Sequence, residues 1–158
     1  MKYLTDIRGI SDIQASAALG ATVTISVVGR LLFGWLGDYI DKRYLLIGAT
    51  VLQAFGIFIL ANATNMALVW IYAAIYGIAY GGGIPVYMAI VGDYFGRKNY
   101  ATIRGFMQMF QIPATVTGPI FAGWVFDTTG NYQIAFTTFI ASMFVGVFFL
   151  FLAKRPRL

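Results

Sequence analysis

Gly29-Arg30-Leu31-Leu32-Phe33-Gly34-Trp35-Leu36-Gly37-Asp38-Tyr39-Ile40-Asp41-Lys42-Arg43 decides how the rest of the chain is read. It is the end of an apolar helix running into a short charged turn. Its skeleton is Gly-x-x-x-Asp-x-x-x-Lys-Arg, carried by Gly34, Asp38, Lys42 and Arg43. Glycine lets two membrane helices approach closely, because no side chain holds the backbones apart. Asp38 falls where the helix would leave the membrane, and the Lys-Arg pair belongs on the cytoplasmic face.

Composition points the same way. The chain of 158 residues is 59% hydrophobic and 11% charged, whereas a soluble domain is about a quarter charged. That much apolar surface can be buried only in lipid, so a bilayer is the expected surrounding. The absence of Cys and His excludes disulfide frameworks, thiolate chemistry and the usual zinc sites. The acids are Asp6, Asp12, Asp38, Asp41, Asp93 and Asp127. They form no catalytic pair, and no nucleophile–base set or metal cluster exists, so neither an enzyme nor a cofactor is expected. The net charge of +5 comes from basic residues in short joins between apolar runs, which argues against a nucleic-acid partner. The N-terminal MKYLTDIRGISD carries charge where a signal peptide needs its apolar core, so no cleavable signal is expected.

A membrane span needs about 20 mostly apolar residues. Five stretches qualify: 13–36, 44–61, 67–92, 105–126 and 133–153. Together they make a single, all-α transmembrane domain over 1–158. Arg30 is the one charge inside them. The turn at Asn62-Ala63-Thr64 is formally a glycosylation acceptor but lies against the membrane, so it reads as a turn. If 37–43, 93–104 and 154–158 are cytoplasmic, that side holds Lys42, Arg43, Arg97, Lys98, Arg104, Lys154, Arg155 and Arg157. The other side holds only Lys2 and Arg8. The bias places the N-terminus outside and the C-terminus inside, in a multi-pass protein of the cell (plasma or inner) membrane.

The spans differ in kind. The second and fifth are almost uniformly apolar and suit lipid-facing helices. The others carry polar stripes at helical spacing: Thr22, Ser26 and Arg30; Tyr72, Tyr76, Tyr80 and Tyr87; Gln108, Gln111, Thr115 and Gly118. Three helices would then line an aqueous path while two brace them.

The Gly34-to-Arg43 pattern resembles the signature loop of the major facilitator superfamily, Gly-x-x-x-Asp-Arg-x-Gly-Arg-Arg. Tyr39 and Asp41 depart from it. The resemblance implies a fold of two six-helix halves around a central cavity, with this chain matching helices eight to twelve. The chain would then be most of the C-terminal six-helix bundle, a fragment or a split half that works with a missing N-terminal half. Helices two to six are the weaker match. Two further segments resemble monocarboxylate and oxalate/formate-type carriers: Gly92-Asp93-Tyr94-Phe95-Gly96-Arg97-Lys98 through Gly105, and Gly118-Pro119-Ile120-Phe121-Ala122-Gly123-Trp124-Val125-Phe126-Asp127.

Arg30 is the sharpest candidate residue. It precedes Asp38 by eight residues, so it lies roughly 12 Å deeper along a helix rising about 1.5 Å per residue, close to the midplane of a core about 30 Å thick. An Arg there costs about 2.5–3.5 kcal/mol on insertion scales unless it meets water or a partner. Its guanidinium can bind a carboxylate with two parallel hydrogen bonds, or pair with a helix end or an acid elsewhere in the protein. In the carriers named above, an Arg four residues before this Gly binds the substrate carboxylate, and Arg30 holds that place. The resemblance therefore implies a secondary transporter that moves a small organic anion, a monocarboxylate or dicarboxylate, by alternating access. The substrate-binding candidates are Arg30, Ser26, Gln108, Gln111, Tyr76 and Tyr80. The gating candidates are Gly34, Asp38, Lys42, Arg43, Asp93 and Arg97, whose charges either pair and part during a cycle or only fix orientation. The tyrosines read equally as packing. Gly81-Gly82-Gly83-Ile84-Pro85 and Pro113 with Gly118-Pro119 read as bending points or as close packing. The alternative function is a five-span membrane protein with a structural or subunit role.

Overall fold

A computed structural model describes residues 11–96 and 98–153. Arg97, and the basic residues Lys2, Arg8, Lys154, Arg155 and Arg157, lie outside the described residues. Five helices account for the described chain: α1 Asp12–Leu36, α2 Lys42–Ala61, α3 Met66–Phe95, α4 Tyr100–Thr129 and α5 Gln133–Leu152. Each apolar stretch falls within one helix, save Ala153.

The helix ends follow local chemistry. Ser11 accepts a hydrogen bond from the Gln14 amide, Asp41 from Arg43 and Asn65 from Leu68, so three helices open on side-chain caps. α3 stops at Gly96 and α4 at Gly130, both at positive φ (74° and 68°), a region open to glycine at no steric cost. α3 and α4 run beyond the apolar stretches and carry Asp93, Arg104 and Asp127 within their helices.

Four helices, α1, α2, α3 and α5, are long and apolar enough to cross a membrane. α4 is not among them, although its stretch 105–126 reads as a span. Gln108, Gln111, Thr115, Thr117 and the Pro and Gly residues dilute its mean hydropathy. It is also the barest of the long helices, with Val125 its single buried residue.

α3 is the central element. α1 packs along one face of it and α2 along another, and α5 lies on the far side of α2. α4 touches the rest lightly, through the Tyr87 hydroxyl at 3.5 Å from the Met107 sulfur and Phe121 edge-on to Phe139. The chain runs up and down. At one end Phe33, Leu45, Ala49 and Val86 cluster with Leu36 and Ile90. At the other, Ala15, Ala18, Ala63 and Val69 cluster with Met66, Tyr132 and Phe136.

The α1–α3 seam is made of small residues. α1 buries Ala15, Ala18, Thr22, Ser26, Gly29 and Phe33, spaced three or four apart. α3 meets them with Gly77, Gly81 and Gly82. A Cβ on Gly77 would stand 2.8 Å from the Thr22 carbonyl oxygen, one on Gly81 would collide with that of Ser26, and one on Gly29 with that of Ile78. Cα hydrogens therefore point at carbonyl oxygens across the seam, the geometry of weak Cα–H···O bonds. The glycine run 81–83 is a contact surface, and α3 continues unbroken through it and through Pro85. α4 likewise continues through Pro113 and Pro119.

This seam corrects one expectation. Thr22, Ser26 and Arg30 do not form one polar face. Thr22 and Ser26 are buried in the seam, with their hydroxyls donating to the carbonyls of Ala18 (2.8 Å) and Val23 (2.6 Å) of their own helix. Arg30 is exposed, off the seam. A residue four positions on is offset by about 40° around the helix, which carries position 30 out of the contact.

Gly81→Ala is expected to destabilise the protein by about 1–3 kcal/mol, the usual cost of forcing extra volume into a packed contact. Gly48→Ala, where nothing lies within 4 Å of the added methyl, is expected to be neutral or stabilising. Thermal unfolding in detergent, followed by intrinsic fluorescence, checks the pair.

Candidate functional site

The signature residues gather at one end of the bundle. Gly37, Asp38, Tyr39 and Ile40 form the turn between α1 and α2, and with Lys42, Arg43, Ile90, Asp93 and Tyr94 they line a recess of about 340 Å³. Lys42 opens α2 and Asp93 lies in the last turn of α3. Their side chains pair at 2.8 Å. Both are partly exposed, at 32% and 45%, and a pair in that setting contributes about 0.2–1 kcal/mol. It fixes the register of two helix ends more than it stabilises the fold.

Arg43 ties in a third helix. Its Nη1 donates to the carbonyl of Ala153 at 2.8 Å, just past α5. Its Nη2 lies 3.1 Å from the Tyr44 hydroxyl, and the guanidinium carbon sits 4.9 Å from the centre of that ring. Tyr94 donates to the same carbonyl at 3.5 Å. The C-terminal end of α5 leaves carbonyls unpaired within the helix, so a cation and a phenol there meet a real electrostatic demand. The start of α2 and the ends of α3 and α5 thus share one end of the molecule, as the basic residues implied.

Asp38 stands apart. Its carboxylate has no hydrogen bond or ion pair among the described residues, and it faces a second recess shared with Phe33, Gly34, Lys42, Pro85, Val86 and Ala89. Gly34 has nothing within 4 Å of where a Cβ would sit. Both residues are open on the surface of α1 and its turn.

The residues read as substrate ligands are not brought into one cluster. Arg30 is exposed on α1, without an ion pair among the described residues. Gln108 and Gln111 are exposed on α4, which forms no packed seam with α1. Ser26 is enclosed, 2% exposed. Tyr72, Tyr76 and Tyr80 form a ladder along α3, with ring centres 5.3 and 6.0 Å apart. Gly56 of α2 makes room for Tyr76, while Tyr80 is 48% exposed. The ladder is packing at one end and open surface at the other.

Sequence reasoning missed Tyr94 and Gln133. Tyr94 follows Tyr87 by seven residues, so the tyrosine stripe of α3 already pointed to it. Gln133 donates to the Ala61 carbonyl at 3.2 Å, tying α5 to α2 at the other end of the bundle. A lone glutamine at a helix start carries no comparable signal.

If the Lys42–Asp93 pair sets helix register, exchanging the charges in a Lys42→Asp/Asp93→Lys double variant should restore most of what either single change removes. A double-mutant cycle on thermal unfolding should give a coupling of about 0.2–1 kcal/mol.

Comparison with known proteins completes the description. The sequence profile of the Major Facilitator Superfamily matches residues 1–158. The chain is 28% identical over 152 residues to monocarboxylate transporter 12 of Xenopus laevis, covering 92% of this chain and 33% of that protein. It is 27% identical over 148 residues to monocarboxylate transporter 13 of Rattus norvegicus, covering 91% and 34%. It is 25% identical over 154 residues to the multidrug transporter protein MdtP of Bacillus subtilis, covering 94% and 27%. The chain therefore spans about a third of the length of these relatives.

Proposed function

The chain belongs to the major facilitator superfamily, and on that premise we propose that it forms part of a secondary carrier moving a small organic anion by alternating access. It is an integral, multi-pass membrane protein of a transporter family. The observation that carries the finer reading is Arg30. A guanidinium stands exposed on an apolar helix, about 12 Å from the charged turn by helix rise, with no ion pair among the described residues. At that depth a fixed charge is tolerated where it meets water or an opposite charge, and a carboxylate supplies the geometry it prefers.

In this reading Arg30 binds the carboxylate, and Gln108 and Gln111 of α4 supply neutral hydrogen bonds from across the path. Tyr80, at the open end of its ladder, offers an aromatic wall, and Tyr76 fixes that wall against α2. Ser26 supports the site by fixing α1 on α3. The relatives named for monocarboxylate transport favour an anion over other solutes. Sites in such carriers lie between two sets of helices, so α1 and α4 would close on a second set, the N-terminal half. Lys42 and Asp93 would hold the cytoplasmic end as one unit, while Asp38 and Gly34 would meet the opposing half; Arg97 would be a further charge of the same gate.

Labelled pyruvate uptake into vesicles from cells expressing the chain together with the N-terminal half of its carrier tests this. Arg30→Ala should lower uptake about tenfold or more, the scale of one lost charged hydrogen bond. Arg30→Lys should retain part of it. Uptake unchanged in Arg30→Ala would overturn the reading.

Orientation has its own test, because the chain contains no native cysteine. Tyr39→Cys should react with an impermeant maleimide only after the membrane is opened. Thr64→Cys, exposed at the other end, should react in intact cells.

A further inference from the structure

The seam between α2 and α5 is a lined groove that includes none of the residues assigned to the proposed solute site. Val51, Ala54, Phe55 and Phe58 of α2 and Ile140 and Phe144 of α5 enclose about 250 Å³ between entirely apolar walls. Phe55, Phe58 and Phe144 remain more than half exposed. Both helices are long and apolar enough to cross a membrane. The groove therefore lies at hydrocarbon depth, where the occupant of an apolar slot is an acyl chain.

The same seam ends at a cation. Arg43, Ile47, Ala54 and Ala61 follow one edge of α2 at spacings of four, seven and seven residues. Ile47, Ala54 and Ala61 are buried along it. Arg43 bridges to Ala153 at the end of α5, at the basic end of the same two helices. It has no ion pair among the described residues, and the contacts to Ala153 and Tyr44 engage only part of a guanidinium with five N–H donors. Tyr44 beside it is 52% exposed, an aromatic at the level where such rings meet headgroups. Val51 lies eight residues from Arg43, about 12 Å along the helix. Half of a hydrocarbon core is about 15 Å thick, so one phospholipid spans both features.

We propose that the α2–α5 seam binds a phospholipid with an anionic headgroup, its phosphate on Arg43 and one acyl chain in the groove formed by Val51, Phe55, Phe58 and Phe144. Charge selects the headgroup and the groove holds the tail. Because Arg43 also anchors the end of α5, a lipid there would act on the same helix end that Lys42 and Asp93 hold. The site is separate from Arg30, so it stands whether or not the solute is an anion.

Native mass spectrometry of the full chain in mild detergent tests this, with equal amounts of dioleoyl phosphatidylglycerol and dioleoyl phosphatidylcholine. Phosphatidylglycerol adducts should exceed phosphatidylcholine adducts about fivefold, the effect of one basic residue on an anionic lipid. Arg43→Gln should bring the two lipids level, and Arg43→Lys should retain the preference. Phe55→Ser with Phe144→Ser, both at exposed positions, should reduce adducts of both lipids while leaving the protein folded. Equal adducts in the unaltered protein, or a preference that survives Arg43→Gln, would overturn the proposal. So would a dimer that the phenylalanine changes abolish, since a second copy would then occupy the groove.

Discussion

Two helices in lipid gain little from hiding apolar side chains from each other, because the lipid is as apolar as they are. What holds them is close contact, and here that contact is backbone on backbone. Gly29 on α1 and Gly77, Gly81 and Gly82 on α3 bring the helices so near that an added methyl at Gly29 or Gly81 would strike a carbonyl oxygen. Everything else in the described chain is built on that seam. It makes α3 central, leaves α3's other face for α2, and through α2 positions α5. It also decides which face of α1 is enclosed and which is open.

That division separates two polar residues one turn apart. Ser26 lies in the seam, and its hydroxyl is spent on its own helix. Arg30, one turn on, is left outside. A polar stripe is thereby split into a buried part and an exposed part. At the basic end, the pairing of Lys42 with Asp93 and the bond from Arg43 to Ala153 tie together the start of α2 and the ends of α3 and α5. These contacts are exposed and individually weak.

Much of this was legible in the sequence, for definite reasons. Apolar runs of about 20 residues with Asn and Gly between them leave little choice but helices, and the loop from Gly34 to Arg43 named the superfamily. Charge placement predicted which ends would meet. The sequence could not show where a helix turns its faces. Thr22, Ser26 and Arg30 share a spacing, but a helix at that spacing drifts around its axis, and only the position of α3 says where the contact ends. The run Gly81–Gly83 read equally as hinge or contact, because glycine serves both; its opposite wall, the Ser26 carbonyl and the Phe33 ring, decides for contact. Gln133 acts through the Ala61 carbonyl, distant in sequence, which no local pattern announces.

The central claim is that the α1–α3 seam turns Arg30 toward water while enclosing its neighbour one turn away. Cysteine accessibility measures that directly, since the chain contributes no cysteine of its own. With the protein in membranes, a charged, water-borne thiol reagent should modify Arg30→Cys and leave Ser26→Cys and the lipid-facing Phe144→Cys untouched. An Arg30→Cys as unreactive as Phe144→Cys would place position 30 against acyl chains and contradict the account.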